Sequence, residues 1–292
     1  MSNKQANEIG YLLMSLLRAI ESSLPEDQCL FEDPVSQAML PWYFKPFLLP
    51  GLRQLVVAVT ERRGPGAYGN LVCRTRYIDD ALLAALSNGL DQVVILGAGF
   101  DWRPYRIPGI EHTRVFEVDL PAVQALKRKS LQKQYVKLPA HVSLVPVDFN
   151  NQDLAVQLRV AGFDYGRRTF FIWEGVTQYI TAQAIDSTFG FISSAADPGS
   201  QVVFTYIHRG IIAGTARSKT DEQLFSLAQQ GGVPWIFGFD PSEVQSYLAE
   251  RGFEFMEEVW TPGYKDRYLK PIGRQMAIFA GERAALASVI RS

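Results

Sequence analysis

Cysteine is scarce in this chain, charge of either sign is in balance, and long apolar runs are missing. Each shortage removes a class of function. Two cysteines, Cys29 and Cys73, cannot build a disulfide framework and lack metal-site spacing, so both are expected to be reduced and buried. Of three histidines, His112 and His141 fall at the starts of apolar strands, and no cluster suggests a metal. A net charge of -1 gives no global attraction to nucleic acid or to an anionic membrane. No run reaches membrane-spanning length and the start, Met1-Ser-Asn-Lys-Gln, does not read as a leader, so a cytoplasmic protein is expected. Gly-Lys-Ser and Gly-Lys-Thr are absent, which excludes the common phosphate loop.

What is present is the composition of an ordinary soluble enzyme: 292 residues, 47% hydrophobic and 20% charged. Residues 8–24 repeat apolar positions at helical spacing, Asp33-Pro34 opens a second helix, and a third lies near 52–62 before Gly64-Pro-Gly66. With a helix beginning at Arg74 and running to about Ser87, this strand-free quarter reads as a helical cap over 1–88. Strands at about 92–96, 114–119, 141–148, 169–174 and 201–207 then alternate with helices near 121–134, 151–161 and 181–196. Two last strands are expected at about 253–260 and 275–281, following a helix capped by Asp240-Pro-Ser-Glu243. The alternation predicts an α/β fold, a doubly wound Rossmann-like sheet of seven mostly parallel strands with an antiparallel edge strand. Between strand five and that helix, 208–239 breaks the rhythm with Gly210, Gly214 and Gly231-Gly232, and reads as a lid insertion.

The centre of the chain is Gln92-Val-Val-Ile-Leu-Gly-Ala-Gly-Phe-Asp101, a buried strand followed at once by Gly97, Ala98 and Gly99. The second strand, Arg114-Val-Phe-Glu-Val-Asp119, ends on an acid, with Leu120 next. Glycine turn and acid together form the layout that holds a nucleoside, the acid taking ribose hydroxyls. A dinucleotide site wants a third glycine where Trp102 stands, so a nicotinamide oxidoreductase is disfavoured. A nucleoside without phosphates fits better, and S-adenosylmethionine is the common one. Asp101, Asp119, Asp148 and Glu174 each follow an apolar run, at the edge where open parallel sheets bind ligands. By position, Asp148 suits the adenine amino group, with backbone of Val147 or Phe149 on a ring nitrogen, and Glu174 suits the methionyl amino group. Arg74 or Arg76 could hold its carboxylate. Glu117, inside strand two, needs a partner, and Arg74, Arg76, Arg103 and Arg106 are the candidates. Lys127-Arg-Lys129 reads as a solvated helix face.

Taken in order, Arg74-Thr-Arg-Tyr-Ile-Asp-Asp80, Leu96-Gly-Ala-Gly-Phe-Asp-Trp-Arg-Pro-Tyr-Arg106, Phe116-Glu-Val-Asp-Leu-Pro121, Val147-Asp-Phe149 and Trp173-Glu-Gly-Val-Thr-Gln-Tyr179 resemble the leucine carboxyl methyltransferase family. This is a family of class I S-adenosylmethionine-dependent enzymes, and Asp33-Pro34 and Phe237-Gly-Phe-Asp-Pro241 are similar to its bacterial branch. The resemblance implies a methyltransferase domain over 89–292. It also implies a cofactor held by Arg74, Gly97, Gly99, Asp119, Asp148 and Glu174. The phosphatase-modifying members have a differently built substrate end, and the propeller of the tRNA-modifying relatives is absent, so neither substrate is inherited.

The expected acceptor is a carboxylate, or a hydroxyl, of a small metabolite, polyketide or peptide terminus. A carboxylate is nucleophilic at neutral pH, whereas an alcohol or phenol gains from a base. His208, in Tyr206-Ile-His-Arg209 at the end of strand five, is the histidine placed to serve, and Arg209 could hold a substrate carboxylate. Tyr179, Tyr206, Trp235 and Phe237 would form apolar walls. A cofactor-binding module without catalysis is the remaining alternative. The sequence carries no signal for oligomeric state.

Overall fold

In a computed structural model, residues 3–134, 137–230 and 234–290 are described. Four helices come first: α1 (Asn3–Glu21), α2 (Pro34–Met39), α3 (Pro50–Arg63) and α4 (Ala67–Ser87). The alternating part follows as β1 (Gln92–Leu96), α5 (Arg103–Arg106), β2 (Arg114–Asp119), α6 (Pro121–Gln134), β3 (Val142–Pro146), α7 (Leu154–Val160), β4 (Thr169–Trp173), α8 (Ala182–Ala195) and β5 (Gln201–Ile207). After β5 come α9 (Arg209–Ala213), α10 (Lys219–Gln230), α11 (Val244–Ala249), β6 (Phe253–Val259), α12 (Thr261–Tyr264) and β7 (Glu282–Val289). The sheet runs β3-β2-β1-β4-β5-β7-β6. All pairs are parallel except those of β7, which lies antiparallel between β5 and β6.

Side chains alternate across this sheet, so each strand feeds two cores. Val93, Ile95, Val115, Ile172 and Val203 pack with Leu16, Leu17 and Ile20 of α1 and Val72, Ile78 and Leu82 of α4. Val94, Leu96, Phe116, Phe171, Trp173, Phe204 and Tyr206 pack on the opposite side with α7, α8 and α11. The N-terminal helices thus complete a face of the sheet. Buried Glu21 ties them to the distal chain, accepting hydrogen bonds from Leu30 N, Tyr68 Oη and Arg274 Nη1 at 2.9, 2.6 and 2.6 Å.

Local signals set several ends differently from expectation. α4 starts at Ala67, because the Glu61 carboxylate accepts from Gly66 N and Tyr68 N and Gly66 supplies a left-handed turn (φ 81°). α7 is shorter than 151–161, as Asp153 caps it through Ala155 N. Asp240 accepts from Ser242, and the helix that follows begins only at Val244. The last strand is not 275–281 but Glu282–Val289. The apolar run before it is spent on the cap: Phe279 N donates to Gly66 O, and Ile278 and Phe279 are buried there. Within 208–239, α9 and α10 form, and Gly231 and Gly232 lie outside the described residues.

Candidate functional site

The β1 turn is left-handed at Gly97 (φ 71°) and Gly99 (φ 42°), and Gly97 N and Ala98 N both donate to Val118 O. A Cβ at Gly97 would stand 2.2 Å from Val176 Cγ2, so only glycine lets the β4 connection close on the turn. Asp119 meets the turn from β2. Its Oδ2 accepts from Gly99 N and its Oδ1 from Leu120 N, both at 2.6 Å. Burial raises this carboxyl above its ordinary range, against the lowering effect of those two N–H groups.

Glu174, one residue beyond β4, is the hub. It accepts from Arg74 Nε at 2.8 Å and Arg103 Nη1 at 2.7 Å, with Arg18 Nη2 at 3.7 Å. Burial alone would raise its pKa, but the three guanidinium groups outweigh burial and hold it far below the usual carboxylate range. Arg74 reaches on from Glu174 to Glu282, Nη1 donating to Oε1 at 2.6 Å and Oε2 at 2.8 Å. Its Nη2 has no protein partner among the described residues and would lie 3.8 Å from a Cβ at Gly175. Arg103, 1% exposed, spans Asp79, Asp101 and Glu174. Asp101, Asp119 and Glu174 therefore gather at one sheet edge. Asp148, two residues past β3, instead accepts from Asn150 N and Asn151 Nδ2 in its own turn, with Phe149 half-buried beside it.

Arg74 and Arg76 diverge, because neighbours two apart on a helix point to different sides. Arg76 turns outward to Asp80 at 2.8 Å. Glu117 pairs with none of the arginines expected for it. Its partners are Lys127 and Tyr105. Lys127 is correspondingly no solvated residue: it is 1% exposed, donates to Asp101 O at 2.6 Å and lies 5.2 Å from the centre of the Trp102 ring. Arg128 and Lys129 are exposed as expected.

The residues expected near the acceptor divide. Trp235 Nε1 donates to Tyr179 Oη at 3.4 Å, and Ile236 N donates to Gln178 O, so the insertion folds onto the β4 connection. Phe237 packs on Phe239, 4.9 Å between ring centres. Tyr206 points to the opposite core and donates to Glu258. His208 caps α9, its Nδ1 accepting from Gly210 N at 2.9 Å. Arg209 pairs with Glu243 at 2.6 Å in a half-exposed position. No hydrogen bond or ion pair among the described residues joins Tyr206, His208 or Arg209 to the Arg74–Glu174 group.

Arg18, Lys127 and Glu282 were missed from sequence. Each meets the site through tertiary contacts; in the sequence Arg18 and Lys127 read as parts of ordinary helices, and Glu282 falls just past the strand expected at 275–281. Tyr11 of α1 was missed too, with its ring carbons 3.2 and 3.3 Å from where a Cβ on Gly99 would stand.

A sheet of this order with β7 reversed, a glycine turn after β1 and an acid closing β2 define the Rossmann-like methyltransferase fold. The chain belongs to the leucine carboxyl methyltransferase family, whose sequence pattern matches residues 12–193. A Streptomyces coelicolor protein, assigned by inference as an S-adenosyl-L-methionine-dependent methyltransferase, is 32% identical over 86% of this chain and 88% of its own length. Relatives from Mycolicibacterium gilvum and Bacillus subtilis, with the same inferred assignment, are 35% and 32% identical. The chain spans 62% of the length of each of those two. A Thermobifida fusca crystal structure, its methyltransferase assignment also inferred, superposes with a TM-score of 0.57 at 15% identity, covering 94% of both chains.

Proposed function

We propose that the chain is an S-adenosylmethionine-dependent O-methyltransferase acting on a carboxylate, or a hydroxyl, of a small metabolite, polyketide or peptide terminus. The observation that carries this reading is the Arg74–Glu174 pair beside the Gly97 turn, with Arg74 Nη2 left without a protein partner among the described residues. Opposite charges side by side suit the zwitterionic methionyl arm: carboxylate on Arg74, ammonium on Glu174. Gly97, Ala98 and Gly99 would line that arm, Asp119 and Leu120 the ribose side, and Asp148 and Phe149 the adenine. Trp102, 1% exposed where a dinucleotide loop needs glycine, leaves a pyrophosphate no approach.

When bound, the cofactor supplies a sulfonium methyl group for in-line displacement. The protein then has to align the acceptor oxygen and exclude water. Tyr179 and Trp235 would wall the acceptor. The His208 cap favours a carboxylate acceptor, since an Nδ1 that accepts from Gly210 N leaves the neutral ring its proton on Nε2. A phenol or alcohol acceptor would require that cap to open. Accordingly, His208→Ala is expected to change turnover of a carboxylate acceptor by less than about threefold, while a phenolic acceptor relying on this base would slow about 100-fold. Steady-state rates with the two acceptor types decide, and equal slowing of both contradicts the assignment.

The class of ligand is tested by isothermal titration. S-adenosylhomocysteine should bind and NAD should not; the reverse would overturn the reading. Because a ribose hydroxyl donates to ionised Asp119, and burial holds that carboxyl above its ordinary range, affinity for S-adenosylhomocysteine should begin to fall with pH while the medium is still above the ordinary aspartate value near 3.9. Asp119→Asn should remove this dependence. A wild-type affinity flat across the range would mean that Asp119 does not face the ligand.

A further inference from the structure

Glu282 lies outside the residues that match the family pattern, yet it is bonded directly into the site. As the first residue of β7 it pairs in register with Ile207, while Gly281 O accepts from His208 N. The antiparallel strand therefore delivers a carboxylate to the end of β5, where β4 and β5 both finish. There Glu282 is 6% exposed, accepts two bonds from Arg74 Nη1 and a third from Asn70 Nδ2. Asn70 stands one helical turn before Arg74 on α4, so acid, amide and guanidinium form one bracket.

We infer that Glu282 is a positioning residue for Arg74. Arg74 has three nitrogens, and protein carboxylates hold two of them: Nε on Glu174 and Nη1 on Glu282. A guanidinium is planar, so two fixed edges also fix the third nitrogen, Nη2, beside Gly175. Without Glu282 the head would be tethered at Nε alone and free to swing about that bond. Charge supports the same role. Glu174 is shared with Arg18 and Arg103, so Glu282 supplies Arg74 with a carboxylate of its own. A lysine at 74 would not reproduce the bracket, since an ammonium could not present three donors in one plane.

This inference rests on the reading that Arg74 holds the cofactor's carboxylate, and the experiment separates the two. Affinity for S-adenosylhomocysteine is titrated for wild type, Glu282→Gln, Glu282→Asp, Arg74→Met and the Arg74→Met/Glu282→Gln double variant. KM for S-adenosylmethionine and kcat are measured alongside. Glu282→Gln is expected to weaken binding about tenfold, the scale of one charge-assisted hydrogen bond. KM should rise to match, with kcat at saturation unchanged within about twofold. Glu282→Asp, which keeps the charge one methylene further back, should recover part of the loss, and the double variant should be no worse than Arg74→Met. If Arg74→Met weakens binding but Glu282→Gln does not, the positioning role is wrong and the site reading stands. Additive losses in the double variant would likewise overturn the role. If Arg74→Met itself leaves affinity unchanged, the site reading falls first. Should Glu282→Gln not fold, Glu282→Asp carries the test alone: weaker binding than wild type supports the role, and wild-type affinity overturns it.

Discussion

Arg103→Leu is expected to destabilise the fold by about 3–5 kcal/mol, the cost of leaving buried charges unpaired. Arg103 is 1% exposed and serves three acids. Two of them would keep another cation, Arg106 for Asp79 and Arg74 for Glu174. Among the described residues Asp101 would keep none in direct contact, since Lys127 reaches its backbone oxygen and the backbone N–H of residue 103 is not a charge. The pH dependence follows from that orphan. Burial by itself would raise the Asp101 carboxyl, but Arg103 first, then Arg18 and Lys127, bring it below the ordinary value. In the wild type, therefore, Asp101 contributes stability that is present above the unfolded aspartate pKa near 3.9 and lost as pH falls through the depressed folded value. In the variant burial goes unopposed by Arg103, the folded pKa rises, and the damage is greatest at neutral pH. Urea unfolding at about pH 7.5 and pH 4.5 should show the gap between wild type and variant shrinking in acid. A loss under about 1 kcal/mol, or one independent of pH, would mean this network does not hold the site together.

The second large effect is on binding. Asp119→Ala should weaken S-adenosylhomocysteine about 100-fold, or ~2.7 kcal/mol. Two contributions add. A ribose loses its charged acceptor, and the glycine turn loses the carboxylate that holds Gly99 N and Leu120 N. Asp119→Asn separates them, since an amide oxygen can still accept from Gly99 N; its loss should be intermediate. Titration measures affinity, and thermal unfolding checks that the turn has not taken the fold with it. Affinity within about threefold of wild type in the alanine variant would remove Asp119 from the ligand's surroundings.

The centre of this fold was legible because its signals are local. Val93 to Leu96 is a buried run, Gly97 and Gly99 follow without interruption, and Asp119 ends the next run, so strand, turn and acid could be read in a few residues each. β7 was not legible in the same way. Gln275 to Ala280 carries the stronger apolar pattern but packs on Gly66, while the true strand is built from small residues, Ala284, Ala285 and Ala287, that lie buried between β5 and β6. Glu117 was recognised as needing a cation, yet its partner came from α6, where Lys127 reads like its solvated neighbours. Arg18 and Glu282 reach Glu174 and Arg74 from the first helix and the last strand, and no pattern within either element marks it. Charge type and strand ends can be read along a chain; which opposite charges meet is decided by packing.

A crystal structure with S-adenosylhomocysteine tests most directly whether adenosine lies along this sheet edge. The ribose hydroxyls are expected within hydrogen-bond distance of Asp119, the ligand carboxylate on Arg74 Nη2 and its ammonium on Glu174. A ligand bound elsewhere, or one that leaves Asp119 and the Arg74–Glu174 pair untouched, would contradict it.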